Sequence, residues 1–267
     1  MKIRRFPPQA IEAVWKYIRA HGDNCYFTKR PLEMDDTKSP WYCVFDHLIP
    51  LDPRTIVLTS ALINTIKSAL SEDEFWYMIE QLDDFKRKGK KIKKINLAHW
   101  RQHVFASKKE GLPYKKRPIW PHPQDKKCDI CGRPVFSLQS KYCLRCSHFN
   151  WRMEHKGFSP EAMEAVREYL RANGYVCALT GLPLEMKDDR SPWYCVFDYL
   201  VPGDRSSLIV TCALFCEMKS DLTIEEFWYY IRQLADHKRY GTPFRKRTPH
   251  HWCRLTAQEL RMKNLRD

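Results

Sequence analysis

The sequence predicts an α+β protein with two copies of one strand–loop–strand–helix (ββα) unit, each carrying flanking helices. A basic linker and a small four-cysteine module join the copies. Three observations support this: the chain repeats itself, each copy has two short β-rich runs followed by helical periodicity, and two Cys-x2-Cys pairs lie between the copies. The expected domains are residues 1–106 for copy one, 107–150 for the linker with the cysteine module, and 151–267 for copy two.

The repeat has an offset of 152 residues. Residues 8–89 align with residues 160–241 without a gap, and 44 of the 82 positions are identical. Two copies this similar should share one fold. They could pack as a pseudo-dimer or form separate lobes.

Each element of copy one follows from a local signal. Apolar residues at helical spacing predict a helix over 9–21 that ends at Gly22. Aromatic and β-branched runs predict strands over 41–47 and 55–59, with Pro50 breaking the first. Ser60 is a candidate N-cap for a helix that reaches residue 69. Ser71 and Glu74 form a capping box for a helix that ends at Gly89, and its aromatic stripe favours a core role over base stacking.

The charge distribution points to a polyanionic partner. The chain carries a net charge of +14, and residues 86–127 hold 15 Lys or Arg against two acidic residues. Such a local positive field favours a polyanion such as nucleic acid through counterion release, whereas a solvated linker is the alternative. With the candidate site residues described below, the expected partner is double-stranded DNA, although the sequence does not distinguish DNA from RNA. The candidate DNA-binding residues are Lys67, Lys86, Arg87, Lys88, Lys90, Lys91, Lys93, Lys94, Lys115, Lys116 and Arg117.

The sequence gives no sign of membrane insertion or secretion. No apolar run approaches the roughly 18 residues of a membrane helix, and the N-terminus lacks the apolar core of a signal peptide. The 11 cysteines are an odd number, which favours a reducing compartment over a secreted disulfide scaffold. We therefore expect an intracellular, cytoplasmic protein that does not associate with membranes.

Four cysteines have the spacing of a metal site. Cys128 and Cys131 form one Cys-x2-Cys pair, and Cys143 and Cys146 form a second pair, with 11 residues between the two pairs. Four thiolates at this spacing bind one Zn²⁺ tetrahedrally, as in zinc ribbons. With four protein ligands the site would be structural, and metal binding would supply the folding energy of so small a module. The recurring Cys25 and Cys43 lack this spacing and are expected to be small buried hydrophobes.

The strand–loop–strand–helix stretch of copy one resembles the HNH (ββα-metal) endonucleases. The residues that match the family pattern are Asp46, His47, Pro50, Asn64 and Lys67, with Cys25, Thr28 and Leu32 upstream. Two departures stand out: the loop is short and lacks the Gly-Gly of the family, and Thr55 occupies the position of the middle Asn.

The resemblance implies a site and a chemistry. His47 would act as the general base, since an imidazole titrates near about 6.5. Asp46 and Asn64 would hold one divalent cation through oxygen atoms, and Mg²⁺ or Mn²⁺ prefers such ligands. Adjacent residues of a regular strand point to opposite faces, so Asp46 and His47 can share one site only if the strand bends or ends there.

Copy two lacks two of these groups. Tyr199 and Cys216 replace the histidine and the amide, whereas Asp198, Pro202 and Lys219 are retained. A phenol with a pKa of about 10 is a poor base at neutral pH. We therefore predict a catalytically inactive partner that contributes structure or DNA binding.

The sequence thus predicts a metal-dependent DNA endonuclease with one HNH-type site per chain. A monomer would nick one strand, and double-strand cleavage would need a homodimer or two binding events. Two alternatives remain: a non-catalytic nucleic-acid-binding protein built from decayed HNH repeats, and a zinc-stabilised protein-interaction scaffold. Steep loss of affinity with salt would distinguish a DNA binder from an apolar protein interface.

Overall fold

The computed structural model describes residues 7–97, 100, 126–135, 141–250 and 252. These residues fall into two compact units, 1–104 with 217–267 and 105–216. The division does not follow the repeat, because the last helix of copy two belongs to the same unit as copy one. The sequence also predicts a short helix near residues 97–105, and most of these residues lie outside the described part of the chain.

Copy one contains the predicted ββα unit between flanking helices. Its elements are α1 (Pro8–His21), β1 (Cys43–His47), β2 (Ile56–Ser60), α2 (Ala61–Lys67) and α3 (Glu72–Lys88). Strands β1 and β2 are antiparallel, with Asp46 opposite Val57 and His47 opposite Ile56. A single 3-10 turn, Pro53–Thr55, precedes β2. Helix α2 ends two residues earlier than predicted because Ser68 adopts a positive φ of 51°.

Side-chain caps explain where these helices begin. The Ser60 hydroxyl accepts a hydrogen bond from the Ile63 amide at 3.3 Å. In the capping box, Ser71 Oγ accepts from the Glu74 amide at 3.3 Å, and the Glu74 carboxylate accepts from the Ser71 amide at 2.8 Å. Both predicted caps are confirmed, and each typically stabilises its helix by about 1 kcal/mol.

The core of copy one lies between α2, α3 and the sheet. Leu62, Ile63 and Ile66 of α2 are fully buried. Phe27 packs edge-on against Phe75 of α3, with ring centroids 5.2 Å apart. Cys25 and Cys43 are buried as predicted. Each large apolar side chain contributes about 1.5–3 kcal/mol through burial, which fixes the hairpin against α2.

Copy two repeats the same order of elements. Helix α4 (Leu144–His155) precedes α5 (Pro160–Asn173), β3 (Cys195–Tyr199), β4 (Leu208–Cys212), α6 (Ala213–Lys219) and α7 (Ile224–Tyr240). The register of β3 and β4 matches that of copy one, with Asp198 opposite Ile209. Thr223 and Glu226 form a second capping box at α7. Among the described residues, none of the helices combines the length and the apolar character needed to cross a bilayer.

Helices α3 and α7, which are equivalent in the two copies, pack against each other within one unit. An ammonium group of each helix lies over a tryptophan ring of the other, and an arginine of each binds an aspartate of the other. The pairs are Lys86 with Trp228 (5.4 Å), Lys238 with Trp76 (5.0 Å), Arg87 with Asp236 (2.6 Å) and Arg239 with Asp84 (3.1 Å). Reciprocity of this kind is typical of a two-fold interface between identical subunits, and here two repeats of one chain make it.

Candidate functional site

The Asp46 carboxylate is buried at the end of β1. Only 7% of the residue is exposed. Its Oδ1 accepts a hydrogen bond from Lys67 Nζ at 3.1 Å, whereas Oδ2 is buried and has no hydrogen-bond partner within the described part of the chain. Burial raises the pKa of Asp46 to about 6, although the Lys67 charge acts in the opposite direction. A buried carboxylate oxygen without a donor is costly unless something binds it.

Lys67 holds this carboxylate and does not face the solvent. The residue is 1% exposed, and its ammonium also donates to the carbonyl oxygen of His47 at 2.8 Å. Burial lowers the pKa of Lys67, and the adjacent Asp46 charge offsets part of that effect. The sequence predicts that Lys67 contacts DNA, and in this structure its ammonium is instead enclosed by the end of β1.

His47 is the last residue of β1 and is half-buried. Burial lowers the pKa of its imidazole below the usual 6.5, the Lys67 charge lowers it further, and Asp52 raises it. The lowered pKa favours the neutral imidazole at pH 7, the state that a general base requires. Sequence reasoning missed Asp52, whose proximity to His47 depends on how the β1–β2 loop folds.

Asn64 lies on α2, half-buried, three residues before Lys67. Side chains three apart lie on the same side of a helix, and Lys67 reaches the end of β1, so Asn64 is on the side that faces the hairpin. The equivalent Cys216 of copy two has its sulfur 3.9 Å from the carbonyl oxygen of Phe197 in β3. Within the described residues, no hydrogen bond joins the Asn64 amide to Asp46 or His47.

Thr55 closes the β1–β2 loop. Its hydroxyl accepts from the Ile49 amide at 3.1 Å and lies 2.9 Å from the carbonyl oxygen of Asp52. Ser207 of copy two makes the equivalent pair of hydrogen bonds, at 3.1 and 2.8 Å. The hydroxyl at this position thus stabilises the loop in both copies, and in copy one its hydrogen bonds are with loop backbone rather than with His47.

Copy two keeps the aspartate in a similar place without the histidine. Asp198 is buried, and its Oδ1 accepts from the amide of Tyr199 at 2.8 Å. The Tyr199 ring packs edge-on against Phe158, with centroids 6.2 Å apart. Copy two therefore has an aromatic contact where copy one has a half-buried imidazole.

The four cysteines of the central module converge on one point. The sulfurs of Cys128, Cys131, Cys143 and Cys146 all lie within 4.8 Å of one another. Cys131 Sγ is 3.6 Å from Cys143 Sγ and 3.4 Å from Cys146 Sγ. Four sulfurs about 2.3 Å from a shared Zn²⁺ would lie roughly 3.8 Å apart in a tetrahedron. The group could hold a structural metal such as zinc, and its donors fit that ion.

Copy two supports this cluster through its own residues. The Tyr175 hydroxyl lies 2.9 Å from Cys146 Sγ, and Arg171 Nε donates to the carbonyl oxygen of Asp129 at 3.2 Å. The matching residue in copy one is Asp23, so the tyrosine is specific to the copy that follows the cysteines. Hydrogen bonds to ligand atoms orient them and tune metal affinity. Sequence reasoning missed Tyr175, because nothing in its spacing relates it to the cysteine pairs.

Several basic residues at the end of α3 and just after it bind acidic side chains. Lys88 and Lys90 both bind Asp84 at 2.8 Å, and Arg87 binds Asp83 at 2.7 Å. The side chains of Lys86, Lys91, Lys93 and Lys94 are exposed. The remaining candidates, Lys115, Lys116 and Arg117, lie outside the described residues.

Comparisons of the chain with protein-family models, curated proteins and solved structures found no match.

Proposed function

We propose that the chain is a metal-dependent DNA endonuclease of the HNH type, with one active site per chain in copy one. The observation that carries the proposal is the buried Oδ2 of Asp46, which has no hydrogen-bond partner in the described structure and belongs to the residue next to the half-buried His47. Hydrolysis of a phosphodiester needs a proton acceptor and charge neutralisation at the phosphate. His47 would accept the proton, and a divalent cation held by Asp46 would neutralise the charge.

Asp46 and Asn64 would hold the divalent cation, Mg²⁺ or Mn²⁺. The fit rests on the free Oδ2 and on the type of donor, since a carboxylate and an amide oxygen suit a hard cation. Such an ion neutralises charge that develops on the phosphate and on the leaving oxygen. Lys67 binds the other carboxylate oxygen, so the two cations would not compete for one atom.

His47 would take the proton from the attacking water on a ring nitrogen. Burial and the positive charge of Lys67 both lower the pKa of the imidazole, which favours its unprotonated form at neutral pH. Lys67 has a second effect, because its charge counteracts the rise in the pKa of Asp46 that burial causes. Lys67 is therefore a positioning residue for both groups.

The rest of the chain would bind and position the substrate. Exposed lysines after α3 attract the phosphate backbone, and the cysteine module would bind a structural Zn²⁺. Copy two lacks an imidazole and an amide at the matching positions, so its role would be structural or DNA-binding. A single site predicts nicking by a monomer and double-strand cleavage only by a homodimer or in two steps.

A second candidate is a non-catalytic nucleic-acid-binding protein. The observation that favours it is the Asp46–Lys67 ion pair, because an ammonium at 3.1 Å already neutralises the carboxylate. The Thr55 hydroxyl, which is engaged with loop backbone, adds to this argument. Under this hypothesis both ββα units are retained for their shape and charge.

Incubation of supercoiled plasmid with the full chain distinguishes the two candidates. The nuclease hypothesis predicts nicked circles when Mg²⁺ or Mn²⁺ is added and none when both are omitted. His47→Ala should abolish nicking, whereas Tyr199→Phe at the matching position of copy two should leave it unchanged. Binding of plasmid without nicking under all of these conditions would favour the non-catalytic alternative. Equal rates for wild type and His47→Ala would exclude His47 as the base.

A further inference from the structure

The β1–β2 loop of copy one projects two aliphatic side chains into solvent. Ile49 is 44% exposed and Leu51 is 58% exposed, the highest value among the exposed aliphatic residues described. The loop begins directly after His47, and Leu51 is four residues from it. Water around such side chains is unfavourable, so their position at a loop tip needs an explanation.

Leu51 is also strained. Its φ is +67°, a left-handed conformation that is sterically unfavourable for a bulky L-residue. The matching residue in copy two is Gly203, with a φ of +81°. The loop thus needs a left-handed residue in both copies, and glycine adopts that conformation without strain. Copy one carries a leucine there at a cost in stability, although the side chain is not packed in the core.

Side-chain hydrogen bonds and one ion pair hold the loop around Leu51. Asp52 binds Arg54 through both carboxylate oxygens, at 3.0 and 2.9 Å, and Thr55 ties the loop backbone together. The Arg54 side chain is 77% exposed, and copy two has Ser206 in its place. The chain as a whole carries a net charge of +14, which complements a polyanion such as DNA. Only the copy with the imidazole therefore combines a strained aliphatic tip with an exposed guanidinium.

We propose that Leu51, with Ile49 beside it, is a wedge that inserts between base steps of double-stranded DNA from the minor groove. Leucine and isoleucine at rigid tips are residues that unstack base pairs in this way. Arg54 would contact an adjacent phosphate. The inference rests on the proposed function, since it requires DNA as the partner, and it adds a residue that deforms the substrate near His47.

Insertion of a wedge unwinds DNA, so a linking-number assay tests the proposal without knowledge of a target sequence. Relaxed, covalently closed plasmid is saturated with the full-length His47→Ala chain, which is the parent for all variants below. A metal-independent type IB topoisomerase then relaxes the bound plasmid, and the DNA is deproteinised. Mg²⁺ and Mn²⁺ are omitted throughout. The parent should shift the topoisomer distribution. Leu51→Gly should lose that shift, whereas Leu51→Met and the exposed-residue control Met34→Ser should retain it. Leu51→Gly should also melt at a temperature equal to or above that of the parent, since it relieves the left-handed strain.

The possible outcomes distinguish failure of the proposed function from failure of the Leu51 wedge. If the parent does not bind duplex DNA in an anisotropy assay, the proposed function and the wedge are both wrong. If the parent binds without a shift in linking number, the wedge is wrong and DNA binding stands. An equal shift for Leu51→Gly and the parent at saturation would also overturn the wedge. Loss of the shift together with unchanged or increased thermal stability excludes misfolding and supports it.

Discussion

Replacement of Lys67 by methionine tests the electrostatics of the candidate site. Methionine keeps the length and most of the apolar packing of the buried lysine but removes the ammonium. Asp46 Oδ1 then loses the Nζ donor at 3.1 Å, and the His47 carbonyl loses its donor at 2.8 Å. Since Oδ2 is already without a partner, a buried carboxylate with neither oxygen bound by a side chain remains.

The expected loss of stability is about 3–5 kcal/mol at pH 7, the usual cost of removing one partner of a buried ion pair. Addition of Asp46→Asn should recover part of this loss, because it removes the uncompensated negative charge. The double variant is therefore expected to be more stable than the Lys67→Met single variant. A second mutation that stabilises the protein is an outcome that packing alone does not predict.

The loss should also depend on pH, and its sign follows from the pKa of Asp46. That pKa is about 6 in the folded protein against 3.8 as the ordinary value, so the folded state binds the proton first and stability rises as pH falls. In the wild type this gain begins near pH 6. Without Lys67 the pKa of Asp46 should exceed about 7. The difference in free energy of unfolding between Lys67→Met and wild type should therefore decrease by about 1 kcal/mol from pH 7 to pH 6.

Urea unfolding of the full chain at both pH values measures these differences, and hydrogen exchange of the β1–β2 amides localises them to copy one. A free energy of unfolding of Lys67→Met within about 0.5 kcal/mol of the wild-type value, the range typical of surface substitutions, would show that the buried ion pair does not have this effect. If the stability difference between Lys67→Met and wild type is the same at pH 7 and pH 6, an ionised Asp46 is not the cause of the lost stability.

Three further predictions follow from other contacts. Nicking should reach its plateau by about pH 7 and decline below pH 6, because His47 must be neutral and Asp46 ionised; a midpoint at or above about pH 8 would contradict this. Native mass spectrometry should find one zinc per chain, and Tyr175→Phe should weaken zinc affinity about 10- to 100-fold in a chelator competition; unchanged affinity would mean that the hydroxyl does not support the cluster. Arg239→Ala should destabilise the α3–α7 contact by about 1–3 kcal/mol, because buried Asp83 loses a guanidinium partner at 2.6 Å; Arg232→Ala, without an ion pair in the described structure, is the control.

Local sequence signals predicted the elements well. The Ser71 and Thr223 capping boxes, the Ser60 cap and the glycines that end α1 and α3 act within one turn of chain, so their residue types predict them directly. The spacing of the four cysteines likewise predicted that their sulfurs converge. Cys128 and Cys131 flank a tight turn, and Cys143 and Cys146 lie at the start of α4. Because the two copies align without a gap, each element predicted in one copy was also predicted at the equivalent residues of the other.

The candidate site depended on features that no local pattern contains. A lysine near the end of a short helix is usually at the surface, and Lys67 is buried only because α2 packs against the end of β1. Leucine gives no sequence signal for a positive φ, so the strain at Leu51 required the loop conformation. The packing of α3 on α7 joins residues about 150 positions apart, beyond the reach of periodicity.

Chemical rescue tests most directly whether His47 is the base. The His47→Ala full chain is incubated with supercoiled plasmid, Mn²⁺ and increasing free imidazole, with His47→Ala/Asp46→Ala and wild type in parallel. The account predicts that imidazole restores nicking to His47→Ala in a dose-dependent manner, with no rescue when Asp46 is also absent. Nicking by His47→Ala at the wild-type rate without imidazole, or equal rescue in the double variant, would contradict it.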